Sequence, residues 1–300
     1  MKTVYLGHNL DYVVSCHQES DLMAVFYHNC TGNTVQRTVR MIEYCKKHKI
    51  ISISHHYSDK LLFRIINSFE PDLIVVGEYD FILKNDIINL PQYGTINIHG
   101  APLPRYRGQH PLNWMIINGE TECAVTCHYM TEGIDAGDII DQETFPILVT
   151  DTAYDVRLKL ESTGKNLIAK VLKRFKTEGK IIGIPQDESK ALYVSKRKPE
   201  DGLIEWNKSP IEVYNFVRAL TKPYLGAFAI FDNKRVYLWS VKLPTKDNYI
   251  VHNVTPGTII DITDGKLKIA VFNGTVDLLD WENDGINLII NSILIGKNLS

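Results

Sequence analysis

Two polar side chains two residues apart, Asn97 and His99, stand at the end of the run Thr95-Ile96-Asn97-Ile98-His99. In a strand, alternate side chains share a face, so both point to one side. A neutral amide such as Asn97 can donate to a developing oxyanion. The imidazole of His99, with an ordinary pKa near neutrality, can take a proton. The loop Gly100-Ala101-Pro102-Leu103-Pro104-Arg105-Tyr106-Arg107-Gly108 follows, and its prolines and glycines can shape backbone against a ligand. Farther on, Gly133-Ile134-Asp135-Ala136-Gly137-Asp138 places a carboxylate in a Gly-bracketed turn. Beside a histidine, Asp135 would fix the imidazole tautomer and favour its charged form. Taken singly, each feature also has a plain structural use as a strand-end hydrogen bond or a tight turn.

Other chemistries fit less well. His99, Asp135 and Asp138 lack recognisable metal-ligand spacing, so no metal is expected. Cys123 and Cys127 share one face of a strand and His128 the other, which reads as core cysteines rather than a ligand cluster. There is no nucleophile elbow and no P-loop, and after the first strand Gly7-His8-Asn9 stands where a dinucleotide site would carry G-x-G-x-x-G.

The elements that must position these residues alternate between short apolar runs and helical patterns, the signature of parallel βαβ units. Val4 to Leu6, Leu22 to Phe26, the continuous run Leu73-Ile74-Val75-Val76, Thr95 to His99 and Cys123 to Tyr129 read as strands. Leu61, Leu62, Ile65, Ile66 and Phe69 should line the buried face of a helix stopped by Pro71, and an amphipathic helix should run from Thr152 to about Phe175. The strand bearing Asn97 and His99 would end where open α/β sheets bind ligands. Residues 1–185 are therefore read as an α/β domain with a Rossmann-like, mostly parallel sheet flanked by helices. The polar segment 186–203 reads as a linker. In 204–300, Ser209-Pro210-Ile211-Glu212 predicts a capped helix to about Leu220. Strands Ala227 to Phe231, Val236 to Val241, Gly257 to Ile262 and Leu267 to Val271, with turns at Asp232-Asn233 and Asp264-Gly265, predict a small β-barrel-like (OB-like) domain.

Composition sets outer bounds. The 300 residues carry 33 Lys and Arg against 35 Asp and Glu, a net charge of −2, without the basic excess of a nucleic-acid binder. No run approaches the roughly 20 apolar residues of a membrane span; Asn287 and Asn291 interrupt the longest. The first residues read as a strand rather than a secretory signal. Five cysteines, Cys16, Cys30, Cys45, Cys123 and Cys127, suggest free thiols in a reducing cytosol, hence a cytoplasmic protein.

The Asn97-to-Gly108 run, followed by Gly133 to Ile139, closely resembles the signature of the folate-dependent formyltransferases. Farther along, Arg197 to Asp201, Ile204-Glu205-Trp206, Val217 to Leu220 and Pro223 to Phe228 resemble the second domain of the members that act on sugar nucleotides. The likeness covers roughly residues 70 to 240. It departs from the tRNA-using members in a shorter opening region without their Gly-rich start, and in Ala-Pro-Leu-Pro where many members have Ser-Leu-Leu-Pro. By this resemblance Asn97, His99 and Asp135 are the catalytic trio, and the donor is 10-formyltetrahydrofolate, with no metal. Its pterin would lie along Tyr79, Phe81, Ile82 and Leu83 and along Thr131, Gly133 and Ile134, with Leu103 packing on it. The acceptor would be a dTDP- or UDP-linked amino sugar made for surface glycans such as O-antigen or lipopolysaccharide, and such relatives are commonly homodimers through the second domain. Arg105, Tyr106, Arg107, Trp114 and Tyr224 are candidate substrate contacts; the two arginines could equally brace the loop, and Trp114 and Tyr224 could equally pack structurally. Alternatives are methionyl-tRNA formyltransferase, a formyltetrahydrofolate hydrolase using the same trio, or an inactive folate- or nucleotide-binding module. From Asp201 to Ser300 there are 10 Lys and Arg against 11 Asp and Glu, a net −1, which disfavours tRNA. The basic stretch Lys190 to Lys198 is the counterweight, explained equally by a solvated loop or a diphosphate clamp.

Overall fold

The computed structural model describes residues 1–29, 34–55, 58–249, 253–263, 266–283 and 299. Cys30 and the Asp264-Gly265 turn lie outside the described residues. The chain divides into two compact units, one of Met1–Pro111, Glu122–Pro146 and Arg157–Val194, the other of Leu112–Thr121, Ile147–Val156 and Ser195–Ser300.

The first unit is built in the order β1 (Lys2–Gly7), α1 (Leu10–Glu19), β2 (Asp21–Tyr27), α2 (Thr34–Lys47), β3 (Ile51–Ser54), α3 (Asp59–Asn67), β4 (Leu73–Gly77), α4 (Asn85–Ile88) and β5 (Thr95–His99). It continues through β6 (Arg107–Gly108), with α5 (Pro111–Ile117) passing into the second unit, then β7 (Glu122–Tyr129), β8 (Ile139–Pro146), α6 (Ala153–Glu178) and β9 (Tyr193–Val194). The sheet order is β3-β2-β1-β4-β5-β7-β8. Five strands from β3 to β5 are parallel, and β7 and β8 run antiparallel to their neighbours. Every residue of β4 is buried, as a strand covered on both faces requires. Leu62 and Ile66 of α3 enter the core of Val4, Leu6, Phe26, Ile74 and Val76, with Ile65 and Phe69 packed on it. Leu61, expected on that face, is instead 41% exposed; the buried stripe is narrower than the periodicity allowed. Leu167, Ile168, Val171, Leu172 and Phe175 form the buried stripe of α6.

In the second unit, α7 (Pro210–Leu220) begins with the expected capping box: Ser209 N–H and Oγ both donate to Glu212 Oε2, at 2.9 and 2.6 Å. The strands are β10 (Ala227–Phe231), β11 (Lys234–Val241), β12 (Ile259–Thr263), β13 (Lys266–Val271) and β14 (Gly274–Asn283). Asp232 and Asn233 join β10 to β11 with φ of 46° and 63°, as a type I′ hairpin turn demands. The expected barrel takes the form of a five-stranded antiparallel sheet, β10-β11-β14-β13-β12, in which β10 and β12 do not pair with each other among the described residues.

The segment expected as a linker, 186–203, is not one along its length. Tyr193 and Val194 pair with Arg107 and Gly108, so the first unit extends to Val194. Among the described residues no helix is long and apolar enough to cross a membrane.

Strands β1 and β4 pair Gly7 with Gly77 at their C-terminal ends. A Cβ on Gly7, whose φ is +147°, would stand 1.8 Å from the Gly77 carbonyl oxygen. Gly7→Ala is expected to lower unfolding free energy by about 3 kcal/mol, read as a lower urea midpoint with unchanged slope.

Candidate active site

Strand β5 presents Asn97 and His99 on one face, and its antiparallel neighbour adds to that face. Asn97 pairs with His128 and His99 with Thr126, and residues directly opposite each other share a side. His99 is 7% exposed. Its Nε2 lies 2.8 Å from the Tyr106 carbonyl oxygen, which can only accept, so Nε2 carries a hydrogen. The basic nitrogen of the neutral ring is therefore Nδ1, and it faces Asp135 Oδ2 at 3.5 Å. Burial lowers the His99 pKa; Asp135 and the Tyr106 carbonyl oppose that fall, and His128 adds to it.

Asp135 is held at a positive φ of 50°. Its Oδ2 accepts from the Gly108 N–H at 2.9 Å, and its Oδ1 accepts from Asn97 Nδ2 at 3.3 Å and lies 3.5 Å from His128 Nε2. Burial would raise its pKa, but His99, His128 and the Gly108 N–H outweigh burial and hold the carboxyl well below the usual carboxylate range. His128 donates Nδ1–H to the Tyr129 carbonyl at 2.8 Å, so its Nε2 accepts from Asn97 Nδ2 at 3.2 Å. Both N–H groups of Asn97 are thus engaged inside the cluster. The Thr126 hydroxyl donates to the Ala101 carbonyl at 2.6 Å and accepts from Gln142 Nε2 at 2.7 Å, pinning the start of the loop after β5. The arrangement is a neutral imidazole of fixed tautomer with its basic nitrogen beside an ionised carboxylate. Such a pair accepts a proton and stabilises the charge that results.

The sequence matches the formyl transferase family over residues 28–172 and the formyl transferase C-terminal domain over residues 196–296. The chain belongs to the formyl transferase family. Structures similar to this family member include HypX from Aquifex aeolicus in complex with tetrahydrofolic acid, with a TM-score of 0.61 at 18% identity over 94% of this chain. The chain spans 44% of that protein's length. The N-formyltransferase from Helicobacter canadensis, in complex with folinic acid and dTDP-3-aminofucose, matches with a TM-score of 0.66 at 19% identity, over 94% of this chain and all of its own. Methionyl-tRNA formyltransferase from Clostridium thermocellum gives 0.58 at 17%, over 81% of this chain and 94% of its own. At these identities the likeness is one of fold.

The formyl transferase signature accounts for Asn97, His99 and Asp135, which the structure brings together. His128 joins them, although its neighbours Cys123 and Cys127 are buried on the opposite face as core residues. The signal for His128 was its odd–even offset from those cysteines, read together with the β5–β7 register.

Tyr79 and Phe81 follow β4 and pack in a ring cluster with His28 and His55, which follow β2 and β3. The Tyr79 hydroxyl is hydrogen-bonded to His55 Nδ1. Phe81, Ile82 and Ile134 are 49%, 82% and 56% exposed, and an Asn85–Glu132 hydrogen bond ties together the two loops that carry them. Thr131 and Gly133 are exposed on the second loop. Leu83 is a correction: its side chain belongs to the core with Leu62, Ile66 and Ile87. Leu103 is also buried, at 4% exposure. A cleft of about 500 Å³ lies beside Thr131, lined also by Ile88, Thr95, Met130 and Ile182.

Arg107 is a second correction. It is fully buried, and its five N–H groups donate to Gln186 Oε1, both oxygens of Glu188 and the Tyr193 hydroxyl. No donor remains for a substrate phosphate, so it braces the loop. The Tyr106 side chain, 1% exposed, is likewise interior, and the residue serves His99 through its carbonyl. Arg105 is exposed, its guanidinium 5.3 Å from the Tyr106 ring centroid. In the second unit, Trp114 donates to the Ser195 carbonyl at 2.9 Å beneath Arg197, and the Tyr224 hydroxyl lies 3.5 Å from the Ala153 carbonyl. Among the described residues no group of three or more His, Cys, Asp or Glu could hold a metal ion.

Replacing Asp135 by Asn removes the charge facing Nδ1. Burial already lowers the His99 pKa, and its NMR titration midpoint is expected to be lower still in Asp135→Asn than in the unaltered protein; a midpoint that stays or rises would contradict the geometry.

Proposed function

We propose that this protein transfers a formyl group from 10-formyltetrahydrofolate to the amine of a nucleotide-linked amino sugar, with Asn97, His99 and Asp135 as catalytic residues. The observation that carries the reading is the fixed tautomer of His99, which leaves Nδ1 as a base beside Asp135. An amine nitrogen bonds to the formyl carbon while its proton moves to Nδ1, forming an imidazolium beside an ionised carboxylate. The C–N10 bond of the donor then breaks, and the same proton is delivered to N10, so protons balance without an external acid. The Asn97 N–H bonds, at 3.2 and 3.3 Å, are long for their type. One of them can turn to the tetrahedral oxyanion, a donor worth several kcal/mol in such sites. The buried cysteines are poor nucleophiles, with burial pushing the Cys123 thiol up to about 12. A direct transfer without a covalent enzyme intermediate fits that environment.

Donor binding is supported by the apolar side chains of Phe81, Ile82 and Ile134, exposed on two joined loops where a flat ring could cover them. For the acceptor, the sugar-nucleotide relative aligns over its whole length, and the near-neutral 201–300 segment lacks the basic excess that tRNA phosphates favour. Surface-glycan synthesis and a homodimer belong to the same reading. The test is incubation with 10-formyltetrahydrofolate and a panel of UDP- and dTDP-linked 3-amino and 4-amino sugars beside initiator tRNA. Formylation of an amino sugar is expected; formylation of tRNA alone would sink the acceptor assignment in favour of the methionyl-tRNA reading. His99→Asn is expected to lower kcat by about 10³-fold, and kcat/KM of the unaltered protein should fall on the acid side with a midpoint below 6.5.

A further inference from the structure

The backbone that carries Asp135 is gripped by a side chain outside both matched family segments. Gln186 Nε2 donates to the Asp135 carbonyl and to the Gly137 carbonyl, each at 2.7 Å. Its Oε1 accepts from Arg107 Nε at 3.1 Å and from Nη2 at 2.8 Å. Two donors face groups that only accept, and the oxygen faces a group that only donates, so the network itself fixes which way the amide points. No hydrogen-bonding capacity of the amide is left over.

What Gln186 grips matters. Asp135 occupies the left-handed region at φ 50°, which costs a non-glycine residue about 1 kcal/mol and persists only where neighbours hold it. A Cβ on Gly137 would meet the Tyr129 carbonyl oxygen at 1.9 Å, so the far end of the turn is also pressed against β7. On its other side Gln186 holds Arg107, the residue between the two that set the acid–base pair. The Tyr106 carbonyl fixes His99 Nε2, and the Gly108 N–H fixes Asp135 Oδ2. The Arg107 side chain is kept in place by Glu188 and Tyr193, and its backbone N–H donates to the Leu192 carbonyl at 2.8 Å.

We propose that Gln186 is a positioning residue that sets the distance between Asp135 and His99 by tying the Asp135 turn to the Tyr106–Gly108 segment through Arg107. The role rests on the reading of His99 and Asp135 as the acid–base pair. The titratable groups facing His99 are Asp135 from the turn and His128 from β7. Loosening the turn withdraws the carboxylate and leaves His128, so the His99 midpoint moves down.

Two substitutions separate gripping the turn from satisfying Arg107. Gln186→Glu keeps an acceptor for Arg107 and loses both donors to the turn; Gln186→Leu loses both. Gln186→Glu is expected to lower kcat 10- to 100-fold with KM for both substrates changed little. Its thermal midpoint should stay near that of the unaltered protein, and its His99 NMR midpoint should fall. Gln186→Leu should show the same kinetic loss together with a lower thermal midpoint. Unaltered kcat and His99 midpoint in Gln186→Glu would overturn the proposal and leave Gln186 as a partner of Arg107 only. Should the unaltered protein formylate no amine, the formyl-transfer reading fails, and the His99 titration still decides the clamp: a lowered midpoint in Gln186→Glu supports it, an unchanged one overturns it.

Discussion

The hydrogen bond from His99 Nε2 to the Tyr106 carbonyl, 2.8 Å long, is the interaction on which the site depends. It decides the tautomer of a buried ring, and so decides that the atom facing Asp135 is a base rather than a donor. It also demands that the loop after β5 turn back on itself within seven residues. Tyr106 takes φ 62° to do so, a conformation costing about 1 kcal/mol outside glycine. Burial of the Tyr106 ring offsets that cost, because a fully buried aromatic side chain contributes about 2 kcal/mol. The loop is thus stabilised by its apolar side chain and used through its backbone.

Burying a carboxylate beside two imidazoles would be costly without partners. Here Asn97 from β5 and the Gly108 N–H from β6 donate to the carboxylate, His128 from β7 accepts the other Asn97 N–H, and Gln186 from the segment before β9 holds the backbone carbonyl of Asp135. The β5–β7 register is what permits this. An antiparallel strand beside the last parallel one places His128 opposite Asn97, whereas a slip by one residue would bring Cys127 there and turn His128 to the opposite face.

Much of this was legible in the sequence. The apolar run of β4, the stripe of α6 and the Ser209–Glu212 capping box are local signals, and they gave the elements directly. Asn97, His99 and Asp135 were legible because their types and order match a family signature. His128 was not, since its role depends on strand pairing, which periodicity does not encode. Leu61 was misplaced because helical spacing marks a wide face while the available core is narrow. The central strand β14 was hidden by Asp277, Asp280 and Glu282, which point outward from a strand buried on its other side. The 186–194 segment read as a linker because its charges are real and exposed, yet the backbone pairing of Tyr193 with Arg107 is invisible in composition.

Arg107 carries the clearest physical lesson of the site. Its sequence context, a basic residue in the Pro- and Gly-rich loop that follows His99, suits a phosphate ligand. An arginine has five N–H donors, however, and here all five have protein acceptors while the side chain has no exposed surface. A diphosphate could bind it only by displacing Glu188 or Gln186. Displacing Gln186 would release the Asp135 turn, so binding through Arg107 would undo the proposed acid–base pair of His99 and Asp135. Any cation that meets an anionic acceptor must therefore come from elsewhere, and the placement of Arg107 between Tyr106 and Gly108 is explained by what those two backbones hold.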